Sequence, residues 1–264
     1  MRRQQLYICA CLLLGIAVTA CSGKKNGGQG LPEGIASVIQ ADGQSSDGDW
    51  SLDGNTLTYG SHVYTMTGNM EKDYVPGAKG KVTFTNVPSD LDEFSTVYEQ
   101  LLGKTPYGIA AMLPMAFEMW GRNHDEGEQC IEMITGFTCF REIMRQLPAH
   151  MEMSKHSPVD DPYVQRCLPA AVLEGATKEN GYNPTEPYTV NMTIGREETW
   201  GEESEMLQGE VYQLNILSGN AWSTQQRSVS VMLPWKGPQL YKVNSCPSLY
   251  VNIFVPRKDW EGLK

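Results

Sequence analysis

The side chains best able to do chemistry in this chain lie in three short stretches. In HMEMSKH, residues 150–156, an extended strand would turn His150, Glu152 and His156 to one face, and two imidazoles with a carboxylate form a donor set for a cation such as zinc. On a helix the same spacing scatters them, the neighbourhood reads as loop, and neither HExxH nor its inverse occurs. They stand as candidate metal ligands, against the plainer reading of solvated loop side chains. In NHDEGEQC, residues 123–130, His124, Asp125, Glu126, Glu128 and Cys130 could serve a divalent cation. Asp125 and Glu128 already have a sufficient task there as N-cap and capping partner of a helix, where the dipole favours negative charge. Glu118 is a carboxylate inside an otherwise apolar helix. Burial would raise its pKa and suit it to act as an acid in glycoside hydrolysis, but the favoured reading points it to solvent beside Gly121.

Other patterns have a simpler explanation than catalysis. Met112, Met115 and Met119 recur at helical spacing, with Met151 and Met153 beyond; soft sulfurs suit Cu(I), yet methionine more often fills irregular gaps in a core. Trp222 and Trp235 sit near strand turns, where they could stack on a sugar or pack at the edge of the core. No G-x-S-x-G elbow occurs, so no catalytic residue and no cofactor is assigned.

Helices and strands are grouped along the chain. After Trp50, DWSLDGNTLTYGSHVYTMTG alternates between β-prone runs and glycine turns, a hairpin or meander, and KVTFTNV at 81–87 reads as one more strand with Val82 and Phe84 on one face. A helical block spans 89–147. Its first helix opens at Ser89 with Asp92 as capping partner and closes at Gly103. The second has Thr105 as N-cap and Pro106 at its first position, and is apolar on most sides. That makes it the buried central helix, kinked at Pro114. The third opens at Asp125, and the fourth carries Phe140, Ile143, Met144 and Leu147 and ends at Pro148. Residues 148–187 read as loop with one short helix near Val164–Leu173. From 187 to 256 the period is two, in runs around Tyr188–Ile194, Tyr212–Ile216, Val229–Leu233, Tyr241–Val243 and Val251–Val255, with the acidic REETWGEESE interrupting. The fold class that follows is α+β: about four helices packed on an antiparallel, curved sheet formed mainly by the C-terminal half, in a single domain over 50–264.

The chain has 264 residues, 21 basic and 31 acidic, a formal net charge of -10. So acidic a chain lacks the basic stripe that nucleic acid requires, and nucleic acid is excluded as a partner. Cys130, Cys139, Cys167 and Cys246 contain no C-x-x-C; they read as buried free thiols or as one or two structural bridges among three pairings that sequence does not rank.

Residues 1–20 have a basic start at Arg2 and Arg3, an apolar core from Leu6 to about Val18, and small residues before Cys21, the order of an export signal. The core is too short to span a bilayer. Val18-Thr19-Ala20-Cys21 resembles the bacterial lipobox, and that resemblance implies cleavage before Cys21 and acylation of it. Removing Arg2 and Arg3 leaves 19 basic against 31 acidic residues, a charge of -12. Residues 22–49, with seven glycines among polar residues, have the makeup of a flexible tether with a reach of about 30 Å. Ser22-Gly23-Lys24-Lys25 after the cysteine, with no adjacent Asp and no acidic run, implies for such lipoproteins the outer membrane and its periplasmic face, with the cell surface as the alternative. The stretches at 91–130 (LDEFSTVYEQLLGKTPYGIAAMLPMAFEMWGRNHDEGEQC) and 244–256 (NSCPSLYVNIFVP) resemble an uncharacterised domain of unknown function found in Bacteroidota and Firmicutes, often in secreted or lipid-anchored proteins. That resemblance covers about residues 82–256 and implies no catalytic residues. The expectation is a lipid-anchored envelope protein, held to the membrane through Cys21, whose domain is a non-catalytic binding or assembly module for an envelope protein or glycan. The rivals are a periplasmic hydrolase of glycan or peptidoglycan and a metal-handling lipoprotein.

Overall fold

The computed structural model describes residues 49–68, 75–155, 170–177, 180, 183–217 and 227–250, all within one unit, Ala41–Lys264. Strand formation begins where apolar and polar residues alternate. Three short strands, β1 (Trp50–Asp53), β2 (Thr56–Tyr59) and β3 (His62–Gly68), form a tight meander. Its two turns use Gly54 and Gly60, both at positive φ, a conformation glycine adopts without a Cβ clash. Next to β3 lies β4 (Lys79–Phe84), which buries Val82 and Phe84 as the alternation predicts.

From Phe84 the chain leaves the sheet for the whole helical block. It returns as β5 (Tyr188–Glu198), which pairs directly with β4, Val82 opposite Val190. With three more strands, β6 (Gly209–Leu217), β7 (Arg227–Pro234) and β8 (Lys242–Ser245), the described residues form an eight-stranded antiparallel sheet in strict chain order. The class is the expected α+β. The helical block between β4 and β5 is therefore an insertion into a simple meander.

Of the five α-helices among the described residues, α1 (Leu91–Gln100) leads through a 3₁₀ turn, Leu102–Lys104, into α2 (Pro106–Arg122). Every residue of α2 from Pro106 to Gly121 is buried. Each fully buried Leu, Ile, Met or Phe contributes roughly 1.5–3 kcal/mol, so this helix is the principal source of core stability. It opens as the sequence requires, Thr105 accepting a hydrogen bond from Gly108 N–H and Pro106 standing at its start. The helix packs against β4, β6, β7 and β8. Its approach to β4 depends on Gly80, where a Cβ would meet the Tyr107 ring at 2.6 Å. Helix α2 continues through Pro114 without a break. The remaining helices are α3 (His124–Ile134), α4 (Phe137–Lys155) and the short α5 (Glu202–Leu207).

Several expected boundaries move. The N-cap of α1 is Asp90, not Ser89, and its partner is Glu93, not Asp92: Asp90 accepts from Glu93 N–H while Glu93 Oε2 accepts from Ser89 N–H at 2.7 Å. Gly103 does not cap α1; it lies in the 3₁₀ turn, where a Cβ would meet the Tyr98 ring at 2.6 Å. The N-cap of α3 is Asn123 rather than Asp125, and Glu128 is an exposed residue further along. Pro148 does not end α4, which runs on to Lys155. REETWGEESE is not a plain interruption: β5 extends to Glu198 and α5 begins at Glu202. Of the short helix near Val164–Leu173, the described part is a 3₁₀ turn at Ala170–Val172. The run Val251–Val255, the turn at 218–220, Cys167, Trp222 and the leader with its tether lie outside the described residues.

Candidate functional site

The sheet positions residues that are remote in sequence. In its strand order β1 and β7 are six places apart, about 29 Å in a flat sheet at ~4.8 Å per strand. Leu52 of β1 and Leu233 of β7 nevertheless line one cavity of about 670 Å³. The sheet is therefore strongly curled although it stays open, and α2 fills its concave side. Met66, Leu101, Tyr212 and Tyr241 supply buried groups to the cavity. Glu210 and Lys104 bring one charge of each sign, and Asn55, Gln100 and Gln239 bring amides that both donate and accept. Tyr212 and Tyr241 meet edge to face at 5.9 Å, and Tyr212 Oη donates to Glu210 Oε2 at 3.3 Å, so the aromatic wall also orients the carboxylate. An apolar floor with a few convergent polar groups is the usual make-up of a ligand site. A second cavity of similar volume lies over β3–β5, among Thr67, Lys79, Lys81 and Asn191, with Asn191 donating to Glu174 at 2.9 Å. Much of its lining is exposed strand surface.

A polar cluster lies at the other end of the β2–β3 hairpin. The Glu93 carboxylate, almost wholly buried, accepts from Tyr64 Oη at 2.8 Å and Ser89 N–H, and pairs with His62 Nδ1 at 2.8 Å. With Nδ1–H directed at Glu93, the opposite nitrogen of His62 accepts from the Asn86 amide at 3.3 Å. Burial first, and the neighbouring Glu93 second, push the Tyr64 hydroxyl far above its ordinary pKa, so it remains a donor. Glu93 is thus matched by three donors, as a buried carboxylate must be. Among the described residues no serine or cysteine bonds to the outer nitrogen of His62. The arrangement orients an imidazole but supplies no nucleophile, and its evident task is to tie α1 to the hairpin.

The residues singled out in the sequence are scattered. Glu118 is buried rather than solvent-facing, and Arg122 Nε reaches its Oε2 at 2.7 Å. Arg122 also donates to the Pro88 and Ser89 carbonyls, which joins α2 to the entry of α1. The extended strand required to gather His150, Glu152 and His156 does not form. His150 and Glu152 lie on helix α4, and His156 lies outside the described residues. The ring of His150 approaches that of Tyr250 at 6.3 Å. No metal-competent group of His, Cys, Asp and Glu occurs among the described residues. His124 stacks on Trp120 at 4.1 Å, and Asp125 sits in the first turn of α3. Met112, Met115 and Met119 are core residues. Trp235 lies against the exposed Trp200, ring centroids 5.2 Å apart. Cys21 lies outside the described residues.

Neither the cavity nor the Glu93 cluster has a local signature. Cavity residues come from separate turns, strands and a helix junction, and His62 and Glu93 are 31 positions apart. Only the Asp90–Glu93 spacing, a capping box, was available to point at Glu93. Among the described residues no helix is long and apolar enough to cross a membrane. In comparisons with known proteins, the family model described as Domain of unknown function (DUF6935) matches residues 86–257. No curated protein and no solved structure matches.

Proposed function

The chain belongs to the DUF6935 family, and from that premise we propose that it is a lipid-anchored cell-envelope protein whose family domain binds a ligand in the cavity between the two arms of the curled sheet. The cavity carries this reading: about 670 Å³, an apolar and aromatic floor, and amides with one acid and one base at the rim. Such a rim matches a ligand rich in both donors and acceptors and low in net charge, a peptide segment or a glycan. Anchoring rests on the lipobox at Val18–Cys21 and on an apolar core too short to span a bilayer. More than one acyl chain on Cys21 gives stable attachment, whereas a single chain binds only marginally. The residues after Cys21 favour the outer membrane and its periplasmic face. Non-catalytic binding is favoured over hydrolysis because Glu118 is engaged by Arg122 and, among the described residues, the His62 imidazole has no nucleophile beside it.

Two measurements test the proposal. Metabolic labelling with an alkyne fatty acid should mark the wild type and not Cys21→Ala; labelling of both would refute the anchor. Photo-crosslinking residues installed at Asn55 and Gln239 should give the same adduct in living cells, with none from Glu128 on α3. Adducts equally frequent at all three positions would remove the cavity as the ligand seat.

A further inference from the structure

The corner between α3 and α4 is sewn to the last described strand. Thr135 bridges Val243 in parallel fashion, Gly136 N–H donates to Val243 O at 2.8 Å, and Lys242 Nζ donates to Met133 O at 2.6 Å. Tyr250 Oη donates to Glu142 Oε1 at 3.0 Å one turn further along α4. Inside this seam lie two buried cysteines, Cys139 in the first turn of α4 and Cys246 directly after β8, with their Sγ atoms 3.9 Å apart. Cys130 has a different neighbour, donating toward Met119 Sδ at 3.7 Å.

We infer that Cys139 and Cys246 are a disulfide pair, oxidised as the protein folds outside the cytoplasm, and that the bond locks the α3–α4 corner onto β8. A disulfide requires about 2.05 Å between sulfurs, so the pair must close by roughly 2 Å from its 3.9 Å separation, within reach of side-chain rotation. The seam already holds the two segments together without the bond. The chemistry is thiol–disulfide exchange with a disulfide-bearing oxidant, an envelope dithiol oxidase or, in the test tube, oxidised glutathione. One cysteine thiolate attacks the oxidant's disulfide, forming a mixed disulfide and releasing a thiolate. The second cysteine, having lost its proton, attacks the sulfur of the first and expels the remaining thiolate. Two protons leave the protein, and its two electrons reduce the oxidant to two thiols. Hydrogen bonding with Cys139 and burial raise the Cys246 thiol well above its ordinary pKa, so thiolate is scarce once the seam has closed. Burial of both sulfurs shields the finished bond from reductant.

The inference draws on the proposed export only for its oxidant, and the experiment separates the two. The full chain, isolated from the envelope, is alkylated in denaturant without reductant and mapped by mass spectrometry. A peptide carrying Cys139 joined to one carrying Cys246, lighter by two hydrogens than the pair of thiols, is the expected result. The same map is made after reductive unfolding and refolding with oxidised glutathione. The joined peptide in the refolded sample alone supports the pairing and refutes export. Free thiols at both positions in both samples, or either cysteine joined to Cys167, overturns the pairing. As a second readout, reductant added during thermal unfolding should lower the Tm of the wild type by about 5–10 °C and leave that of the Cys139→Ser/Cys246→Ser variant unchanged. An equal response in both proteins would also overturn it.

Discussion

A buried carboxylate is stable only when its oxygens are matched, and Glu93 shows what that matching accomplishes. One side chain takes hydrogen bonds from the Tyr64 hydroxyl and the Ser89 amide and pairs with His62, so it fastens a helix start to a hairpin. Glu93→Ala should cost about 3 kcal/mol in urea unfolding, since it strands the buried Tyr64 hydroxyl and removes half a capping box. Tyr64→Phe, which leaves the carboxylate two partners, should cost about 1 kcal/mol, and equal losses would show that the network is not shared in this way. Buried acids also set the response to alkali. Burial, and secondly Glu126, push the Cys130 thiol up to about 12; burial, and secondly Glu99, push Tyr98 up to about 12. Below the ordinary values of 9.0 for the thiol and 10.0 for the phenol both states keep their protons, so stability is constant. Above them the unfolded chain releases protons that the folded chain retains. Stability should then fall with rising pH, by about 1.4 kcal/mol per unit for each group, until the folded values near 12 are reached. Denaturation midpoints flat from pH 8 to about pH 11 would contradict the burial of these groups. Little of this was legible in the sequence. His62, Tyr64 and Glu93 come from a hairpin and a helix, and neither periodicity nor a local motif links them.

Elements were legible wherever the signal is local. Thr105-Pro106 and the apolar run behind it fix α2, since both act within one turn of helix. The misplaced caps are instructive for the same reason. Ser89 and Asp90 are both able to cap, and the choice falls on Asp90 because Glu93, three residues on, is held by His62 and Tyr64. Asn123, and not Asp125, caps α3, and it is at once the C-cap of α2, so the corner between them is a single residue. So sharp a corner forces the helices close together. At Gly127 of α3 a Cβ would lie 2.0 Å from Trp120 Cα, a backbone atom that cannot turn aside. Gly127→Ala should therefore destabilise by about 3 kcal/mol, although alanine is the better helix former. An unchanged midpoint in chemical denaturation would show that α2 and α3 can separate at little cost. The run through Pro148 has the opposite lesson, because helix stop signals weaken once packing of Ile143 and Leu147 holds the next turn.

At the scale of the molecule, the pairing of β4 with β5 across the helical insertion was invisible to pattern reading, because strand partners are chosen by three-dimensional closure and not by spacing. The alternation nevertheless gave the strands, and four of the five C-terminal runs lie on β5, β6, β7 and the region of β8. The same meander order decides how the protein would carry a load. Under the proposed anchoring, any pull between membrane and bound ligand enters through the segment before Trp50, hence through β1. Among the described residues that strand is an outermost one, four residues long, paired only with β2 and largely exposed. Tension on Trp50 opens its pair with Tyr59 first and then Ser51–Thr58, one rung at a time, so β1 tears like a zipper instead of shearing as a block. In single-molecule pulling from the N-terminus, a small extension at low force should precede rupture of the core; a single high-force event would contradict it. Because Leu52 of β1 also lines the cavity, that first step would open the cavity itself while α2 and the rest of the curled sheet remain intact, so tension on the tether would loosen the seat of the proposed ligand.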